Sequence, residues 1–116
     1  MDTMILTNNS LTATRIRVIA DRTNSELMAG AKAMMIENAK KAMRMGCVHI
    51  LYQKVNGELR EAWATLNPSL VAKHINGNGE SRERYATTAY FDVEKGGWRS
   101  FRWESLIAVL LVNCPL

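Results

Sequence analysis

The chain has 116 residues, of which 47% are hydrophobic and 22% charged, and its formal net charge is +4. This length and composition predict one globular domain with its own core and exclude wholesale disorder. No apolar run approaches the ~20 residues of a membrane span, and the first residues lack the pattern of a signal peptide, so we expect a cytoplasmic protein without a membrane partner.

The positive charge is concentrated in the N-terminal part of the chain. Residues 1–46 contain seven Lys and Arg against four Asp and Glu, whereas residues 47–116 contain eight against seven. A surplus of this kind is compatible with nucleic acid, but it is equally the solvated face of an ordinary helix. Charge alone therefore does not choose a partner.

Residues 1–22 are expected to form an N-terminal arm. Residues 1–14 are polar and show no period, which predicts a loose segment. Thr14–Ala20 alternates polar and apolar side chains, which favours a short strand. Such a strand would add to a sheet edge or pair with another subunit.

Residues 23–46 are predicted to form a helix that packs on the following strands. Thr23 or Asn24 is the expected N-cap, and Gly46 is the expected terminator. Methionines enrich its apolar stripe, which indicates core packing or, alternatively, an adaptable binding surface. The basic group at its end either contacts phosphates or completes the helix terminus. The expected stripe is Leu27, Met28, Ala31, Met34, Met35, Ala39, Ala42 and Met43, and the basic group is Lys40, Lys41 and Arg44.

Residues 47–116 show the pattern of short strands and turns that is typical of a β domain. Asn56-Gly57 marks a tight turn between the first two strands, and residues 76–81 read as an exposed loop. Ser69–His74 is either one helical turn or an extended link. The predicted strands are Val48–Tyr52, Leu59–Thr65, Tyr85–Asp92, Trp98–Trp103 and a last one within Glu104–Val112. The sequence thus predicts a mainly β protein with one N-terminal helix (α+β), built as a small, strongly bent β-barrel.

Signatures of catalysis and metal binding are missing from the sequence. There is no phosphate-binding Gly-rich loop, nucleophile elbow or His-Glu-x-x-His motif. His49 and His74 have no acidic or cysteine neighbour at ligand spacing. We therefore expect no enzyme activity, no metal and no cofactor. For Cys47 and Cys114 we expect free buried thiols in a reducing cytosol, and the alternative is a disulfide between strand ends.

Strand parity divides the aromatic and arginine cluster after the Gly96-Gly97 turn. Arg99 and Arg102 are three apart and point to opposite faces of a strand. Phe101 and Trp103 form the heavier apolar pair and are predicted inside, which leaves Trp98 and Arg102 outside and Arg99 at the barrel mouth. An exposed Trp beside an Arg can stack on a base and hold a phosphate. Alternatively, the two form a cation–π pair that only covers the tryptophan.

Five segments of the chain carry a family resemblance that covers about residues 47–110. They are Ile50-Leu51-Tyr52, Asn56-Gly57-Glu58-Leu59-Arg60-Glu61-Ala62, Ala89-Tyr90-Phe91-Asp92, Gly97-Trp98-Arg99-Ser100-Phe101-Arg102 and Ser105-Leu106-Ile107. They resemble the WYL domain, and more closely the small stand-alone WYL-like proteins of bacteria and phages. The resemblance implies a small Sm-like β-barrel of about five strands over residues 47–116.

The resemblance also implies a function. WYL domains are regulators that bind nucleic acid or nucleotide-like ligands through basic and aromatic residues, so we expect a non-catalytic binding protein. By position its site residues would be Tyr52, Arg60, Tyr85, Arg99 and Arg102, with Trp98 added from strand parity. The alternative is a structural or interaction protein that self-assembles or binds a protein partner and has no small-molecule ligand. Convergence of the arginines on one concave patch with an aromatic would favour binding, and pairing of each with a carboxylate would favour the alternative.

Overall fold

Two helices precede a sheet in the structure, a computed structural model that describes residues 6–72 and 82–110. A third, short helix follows the second strand, and one-turn 3₁₀ helices lie before the third strand and after the fourth. The helices are α1 (Leu6–Thr23), α2 (Glu26–Met45) and α3 (Pro68–Ala72), and the 3₁₀ turns are Glu83–Tyr85 and Trp103–Ser105. The strands are β1 (Cys47–Gln53), β2 (Leu59–Thr65), β3 (Thr87–Asp92), β4 (Gly97–Arg102) and β5 (Leu106–Leu110).

The N-terminal segment is helical, so the predicted strand at Thr14–Ala20 and the loose arm before it are wrong for the described residues. Arg15 and Ile19, one helical turn apart, are 3% and 0% exposed, while Arg17 and Asp21 face solvent. A window of seven residues fits alternation as well as a 3.6-residue period. The helical period becomes visible only over the whole segment, and the protein has two long helices instead of one.

The junction between α1 and α2 uses a different cap from the one expected. The Ser25 hydroxyl accepts a hydrogen bond from the Met28 amide at 3.0 Å, which makes Ser25 the N-cap. Thr23 still belongs to α1 and donates its hydroxyl to the Ile19 carbonyl at 2.7 Å. Asn24 takes a left-handed conformation (φ 57°) between the helices, a role that suits asparagine. The two helices therefore form a tight antiparallel hairpin.

Small side chains form the buried face of α2, which corrects the predicted stripe. Leu27 is 87% exposed and Met34 50% exposed, although both were expected in the core. Alanines allow α1 and the sheet to approach the backbone of α2 closely. A core predicted by ranking side chains on hydrophobicity favours leucine and methionine and overlooks these alanines. The buried residues of α2 are Ala29, Ala33, Ile36, Ala39 and Met43.

The five strands form one antiparallel sheet in the order β4-β3-β2-β1-β5. β1 and β4 are separated by two strands in that order. Nevertheless, the ring of Tyr52 on β1 lies 5.5 Å from that of Phe101 on β4 and 6.0 Å from that of Tyr90 on β3. Such contacts require the sheet to curl on itself, so the aromatic rings fill the inside of a small barrel. The predicted combination of helix and five bent strands is confirmed.

Most strand predictions are confirmed to within two residues. β3 begins at Thr87 rather than Tyr85, because Ala86 has a left-handed backbone (φ 60°) that ends the preceding 3₁₀ turn. Phe101 and Trp103 are 3% and 1% exposed, as predicted for the core, but Trp103 belongs to the 3₁₀ turn after β4. The turn between β1 and β2 is closed by Gly57, whose φ is 92°.

Cys47 is disulfide-bonded, so the expectation of free thiols is wrong for this residue. Cys114, His74 and the predicted loop at residues 76–81 lie outside the described residues. Within the described ranges, no helix is both long and apolar enough to cross a membrane.

Candidate functional site

A groove of ≈ 510 Å³ opens at one end of the barrel, between the β1–β2 turn and β4. Tyr52 and Phe101, both 3% exposed, contribute its aromatic floor. Lys54, Arg60 and Arg102 contribute cationic side chains to its wall. The groove therefore combines an apolar floor with a positively charged wall.

Strand register explains how these side chains meet. The β1–β2 pairing sets Arg60 opposite Tyr52, and the β3–β4 pairing sets Arg102 opposite Thr87, which also lines the groove. Curling of the sheet then brings the β1–β2 end across to β4. Residues more than 40 positions apart thus converge on one concavity, and the convergence depends on curvature as well as on pairing.

The described residues that line the groove carry a surplus of positive charge. Arg60 is half-buried and Arg102 exposed, and neither has an ion-pair partner among the residues that the structure describes. Lys54 lies 3.6 Å from a carboxylate oxygen of Glu58, in a pair that is open to solvent. Of the described residues that line the groove, none is acidic. Three cations facing one concavity without a lining carboxylate give it a positive potential.

A hydrogen-bonded tyrosine pair supports the floor. The hydroxyl groups of Tyr52 and Tyr90 are 2.8 Å apart inside the barrel. Burial, and then the hydrogen bond with Tyr52, raises the pKa of Tyr90 well above the ordinary value for a phenol. The Tyr90 phenol is therefore neutral at physiological pH, and the tyrosine pair fixes Tyr52 in place beneath the cationic wall.

Three of the six predicted site residues lie elsewhere. Arg99 forms an ion pair with the buried carboxylate of Asp92, at 3.2 Å from its Nε. Trp98 is half-buried and packs edge-on against Phe91, with ring centroids 5.6 Å apart. Tyr85 is 54% exposed in the 3₁₀ turn before β3. The structure brings together Tyr52, Arg60 and Arg102 and leaves these three outside the groove.

The cation–π pair of Trp98 and Arg102, which the sequence left open as an alternative, is not among the cation–π contacts of the described residues. Those contacts join Arg15 to Trp103 at 5.6 Å and Arg82 to Tyr85 at 5.8 Å. The indole Nε1 of Trp98 is buried and has no hydrogen-bond partner among the described residues. Trp98 therefore acts as a packing residue over Phe91.

Sequence reasoning missed Lys54, Thr87 and Ser105 as groove residues. A signal existed for Lys54, because it directly precedes the predicted turn and so lies at the same strand end as Arg60. Thr87 and Ser105 carried no such signal, since their placement follows from the left-handed residue before β3 and the 3₁₀ turn after β4.

The histidine of the described region lies on the outside of the sheet. His49 stacks on Trp63 with ring centroids 4.7 Å apart, and its Nε2 is 3.6 Å from a Glu61 carboxylate oxygen. Residues 6–72 and 82–110 contain no group of three or more His, Cys, Asp and Glu side chains that could hold a metal ion.

A family model described as WYL_2, with an Sm-like SH3 beta-barrel fold, matches residues 36–107. The match begins within α2, covers β1 to β4 and the start of β5, and contains every groove residue named above. Helix α1 lies outside it. No curated protein and no solved structure gives a significant match.

Proposed function

The chain belongs to the WYL_2 family, and from this premise we propose that it is a non-catalytic binding protein whose groove holds nucleic acid or a nucleotide-like ligand. The observation that carries the proposal is the convergence of Arg60 and Arg102 over the aromatic floor, without a lining carboxylate among the described residues. A regulatory role, in which binding rather than chemistry is the output, fits this arrangement.

Phosphate is the anion that this wall suits best. A guanidinium group presents several donors in a fixed plane and binds phosphate oxygens in pairs. Ser100, on the same face of β4 as Arg102, adds a hydroxyl to the groove. A volume of ≈ 510 Å³ lies within the range of about 300–1,000 Å³ that is common for small-ligand sites.

We assign no catalytic step to the groove. The described side chains that line it include Ser, Thr, Lys and Tyr but no His, Asp or Glu, the usual general bases that would activate such a group as a nucleophile. Its cations and hydroxyls supply charge and hydrogen bonds, which are sufficient for recognition.

Fluorescence anisotropy with labelled single-stranded RNA and DNA, across a salt series, tests the proposal. We expect the affinity to fall as salt rises, with a slope of about −0.7 per phosphate contact. The variant Arg60→Gln/Arg102→Gln should weaken binding by at least about tenfold, because each lost charged hydrogen bond is worth roughly 1.5–3 kcal/mol. Nucleotides should raise the thermal midpoint of the native protein and not that of the variant.

The matched control is Arg17→Gln/Lys95→Gln. It removes the same two charges from exposed positions on α1 and in the β3–β4 turn, outside the groove. We expect it to bind nearly as the native protein does. Undetectable binding at low salt, together with no nucleotide-induced thermal shift, would overturn the proposal, and so would equal losses in the two double variants.

A second candidate is a protein-interaction role, through self-assembly or a protein partner. The observation that favours it is the exposed apolar side of α2, where Leu27 is 87%, Met34 50% and Met45 84% exposed. Light scattering over a concentration series tests this candidate.

A further inference from the structure

A second basic cluster lies between α1 and α2, and we call it the helix cleft. It is a depression of ≈ 50 Å³ lined by Arg15, Lys40, Lys41 and Arg44 together with Glu37. The lysines and Arg44 come from the last turns of α2, and Arg15 comes from the middle of α1. Packing of the two helices therefore adds a buried arginine to a basic helix end.

The helix cleft has more positive than negative charge. Arg15 and Lys40 both contact the carboxylate of Glu83, and Lys41 lies 3.8 Å from Glu37 with its side chain 67% exposed. Arg44 is exposed and forms no ion pair with the described residues. Four cations thus face two carboxylates.

Lys40 is buried among charged side chains of both signs. Burial lowers the pKa of its ammonium most, and the charges of Arg15 and Arg44 lower it further, against the opposing effect of Glu83. A bound anion would relieve the repulsion among these cations. The cleft is small, so it suits a single phosphate group better than a whole nucleotide.

Contacts within the structure join the helix cleft to the groove through the 3₁₀ turn before β3. Lys40 lies 3.6 Å from a carboxylate oxygen of Glu83, and Arg82 directly precedes Glu83 in the chain. The hydroxyl of Thr87 donates to the Arg82 carbonyl at 3.0 Å, while Thr87 itself lines the groove opposite Arg102. One short segment therefore borders both basic sites.

The surface between the two sites carries groups that suit a nucleic acid. Arg82 is exposed, and its guanidinium carbon lies 5.8 Å from the centroid of the Tyr85 ring. Tyr85 is itself 54% exposed. Single-stranded nucleic acids are bound by aromatic rings that stack on bases beside cations that follow the backbone.

We infer that the ligand is a single-stranded nucleic acid that runs from the groove over the turn at residues 82–85 to the helix cleft, where a second phosphate binds Lys41 and Arg44. The inference rests on the proposed function of the groove and deepens it from a nucleotide-like ligand to a polymer. On this inference a mononucleotide occupies the groove and does not reach the helix cleft. Only a strand of several nucleotides reaches both basic sites.

The test compares long and short probes on the variant Lys41→Gln/Arg44→Gln. The probes are a labelled single strand of about 16 nucleotides, the upper end of site sizes for a small barrel, and adenosine monophosphate, followed by calorimetry. We expect the variant to bind the long strand at least about fivefold more weakly. The salt slope should also become shallower by about 0.7, the value for one phosphate contact on a single strand. Adenosine monophosphate should bind unchanged.

The outcomes separate this inference from the proposal on which it rests. If Arg60→Gln/Arg102→Gln loses both probes while Lys41→Gln/Arg44→Gln binds the long strand as the native protein does, the groove proposal stands and the extended path is wrong. If native protein binds neither probe, the groove proposal fails. The path would also be overturned if Arg17→Gln/Lys95→Gln lost as much affinity for the long strand as Lys41→Gln/Arg44→Gln does. The same holds if heparin of matched charge displaced the strand as well as unlabelled strand does. In either case the cleft would contribute only through its net charge. Parallel RNA and DNA strands show which backbone the path prefers.

Discussion

Tyr90 shows how the barrel interior supports a polar pair without a charge. Its side chain is fully buried, and its hydroxyl shares a 2.8 Å hydrogen bond with that of Tyr52. Because burial and this hydrogen bond raise the Tyr90 pKa, the native state keeps the phenolic proton to higher pH than the unfolded chain does. The unfolded phenol loses its proton above a pH of about 10.

The free energy of unfolding should therefore fall as pH rises above about 10. In that range the unfolded state binds fewer protons than the native state, so each step in pH favours unfolding. The variant Tyr90→Phe removes this contribution. We therefore expect its free energy of unfolding, measured by urea denaturation at a series of pH values from neutral to alkaline, to fall less steeply above pH about 10. At neutral pH the same variant should cost about 1–2 kcal/mol, because the Tyr52 hydroxyl loses its partner.

Tyr85→Phe is the control, since it removes a phenol from an exposed position. In this variant the free energy of unfolding should fall with alkaline pH about as steeply as in the native protein. If the free energy of unfolding of Tyr90→Phe fell with alkaline pH as steeply as that of the native protein, Tyr90 would not be the cause of the alkaline instability.

At the scale of elements, a buried ion pair fastens α1 to the barrel. Arg15 is 3% exposed and donates from Nε to Glu83 at 3.2 Å, and its guanidinium also lies over the Trp103 ring. Glu83 accepts a further hydrogen bond from the Thr88 hydroxyl at 2.8 Å. One carboxylate therefore connects the first helix, the 3₁₀ turn and β3.

Replacing this carboxylate should be costly. We expect Glu83→Gln to lower the free energy of unfolding by about 3–5 kcal/mol, because Arg15 is then buried without its counterion. Arg15→Met/Glu83→Gln should be less destabilised than Glu83→Gln alone, since the uncompensated cation is gone. Urea denaturation at neutral pH measures both.

The more exposed pair of Arg22 and Glu104, 2.7 Å apart, provides the comparison. Arg22→Met should cost no more than about 1 kcal/mol, as is usual for ion pairs near the surface. If Glu83→Gln cost as little as Arg22→Met, the buried pair would not be what holds α1 in place.

The elements also show why strands were easier to predict than the N-terminal helices. Leu59–Thr65 alternates and is bounded by a Gly turn and a Pro, so local chemistry fixes both of its ends. Residues 14–20 alternate equally well, yet they are helical because Ile19 and Arg15 find partners on α2 and the 3₁₀ turns. Tertiary packing overrode the local pattern there.

At the scale of the whole molecule, the sequence predicted the barrel, and three of the six residues proposed from it as a site, Tyr52, Arg60 and Arg102, line the groove. The register of Arg60 follows from a recognisable hairpin. The separation of Arg99 from Arg102 could not be predicted, because only the folded barrel places Asp92 beside one of them. The helix cleft could not be predicted either, because it requires α1, a segment for which the sequence pattern predicted a loose arm and a short strand.

The exposed apolar side of α2 bears on the oligomeric state of the protein in solution. If it drives self-association, Leu27→Glu/Met34→Glu should lower the mass measured by light scattering at high protein concentration. Glutamate is a good helix former, so the helix itself should persist. Leu59→Glu, 62% exposed on β2, is the matched control and should leave the mass unchanged. A native protein that stays monomeric at every concentration would rule out self-assembly.

The two arginines of the groove wall differ from Arg99 in what they contribute to the fold. Arg60 and Arg102 form no ion pair with the described part of the chain, whereas Arg99 holds a buried carboxylate. We therefore expect substitution of Arg60 or Arg102 to cost the fold little, whereas substitution of Arg99 leaves the buried carboxylate of Asp92 without its cation. The stability of the barrel and the charge of its groove are thus set by different arginines, so that either one can be changed without the other.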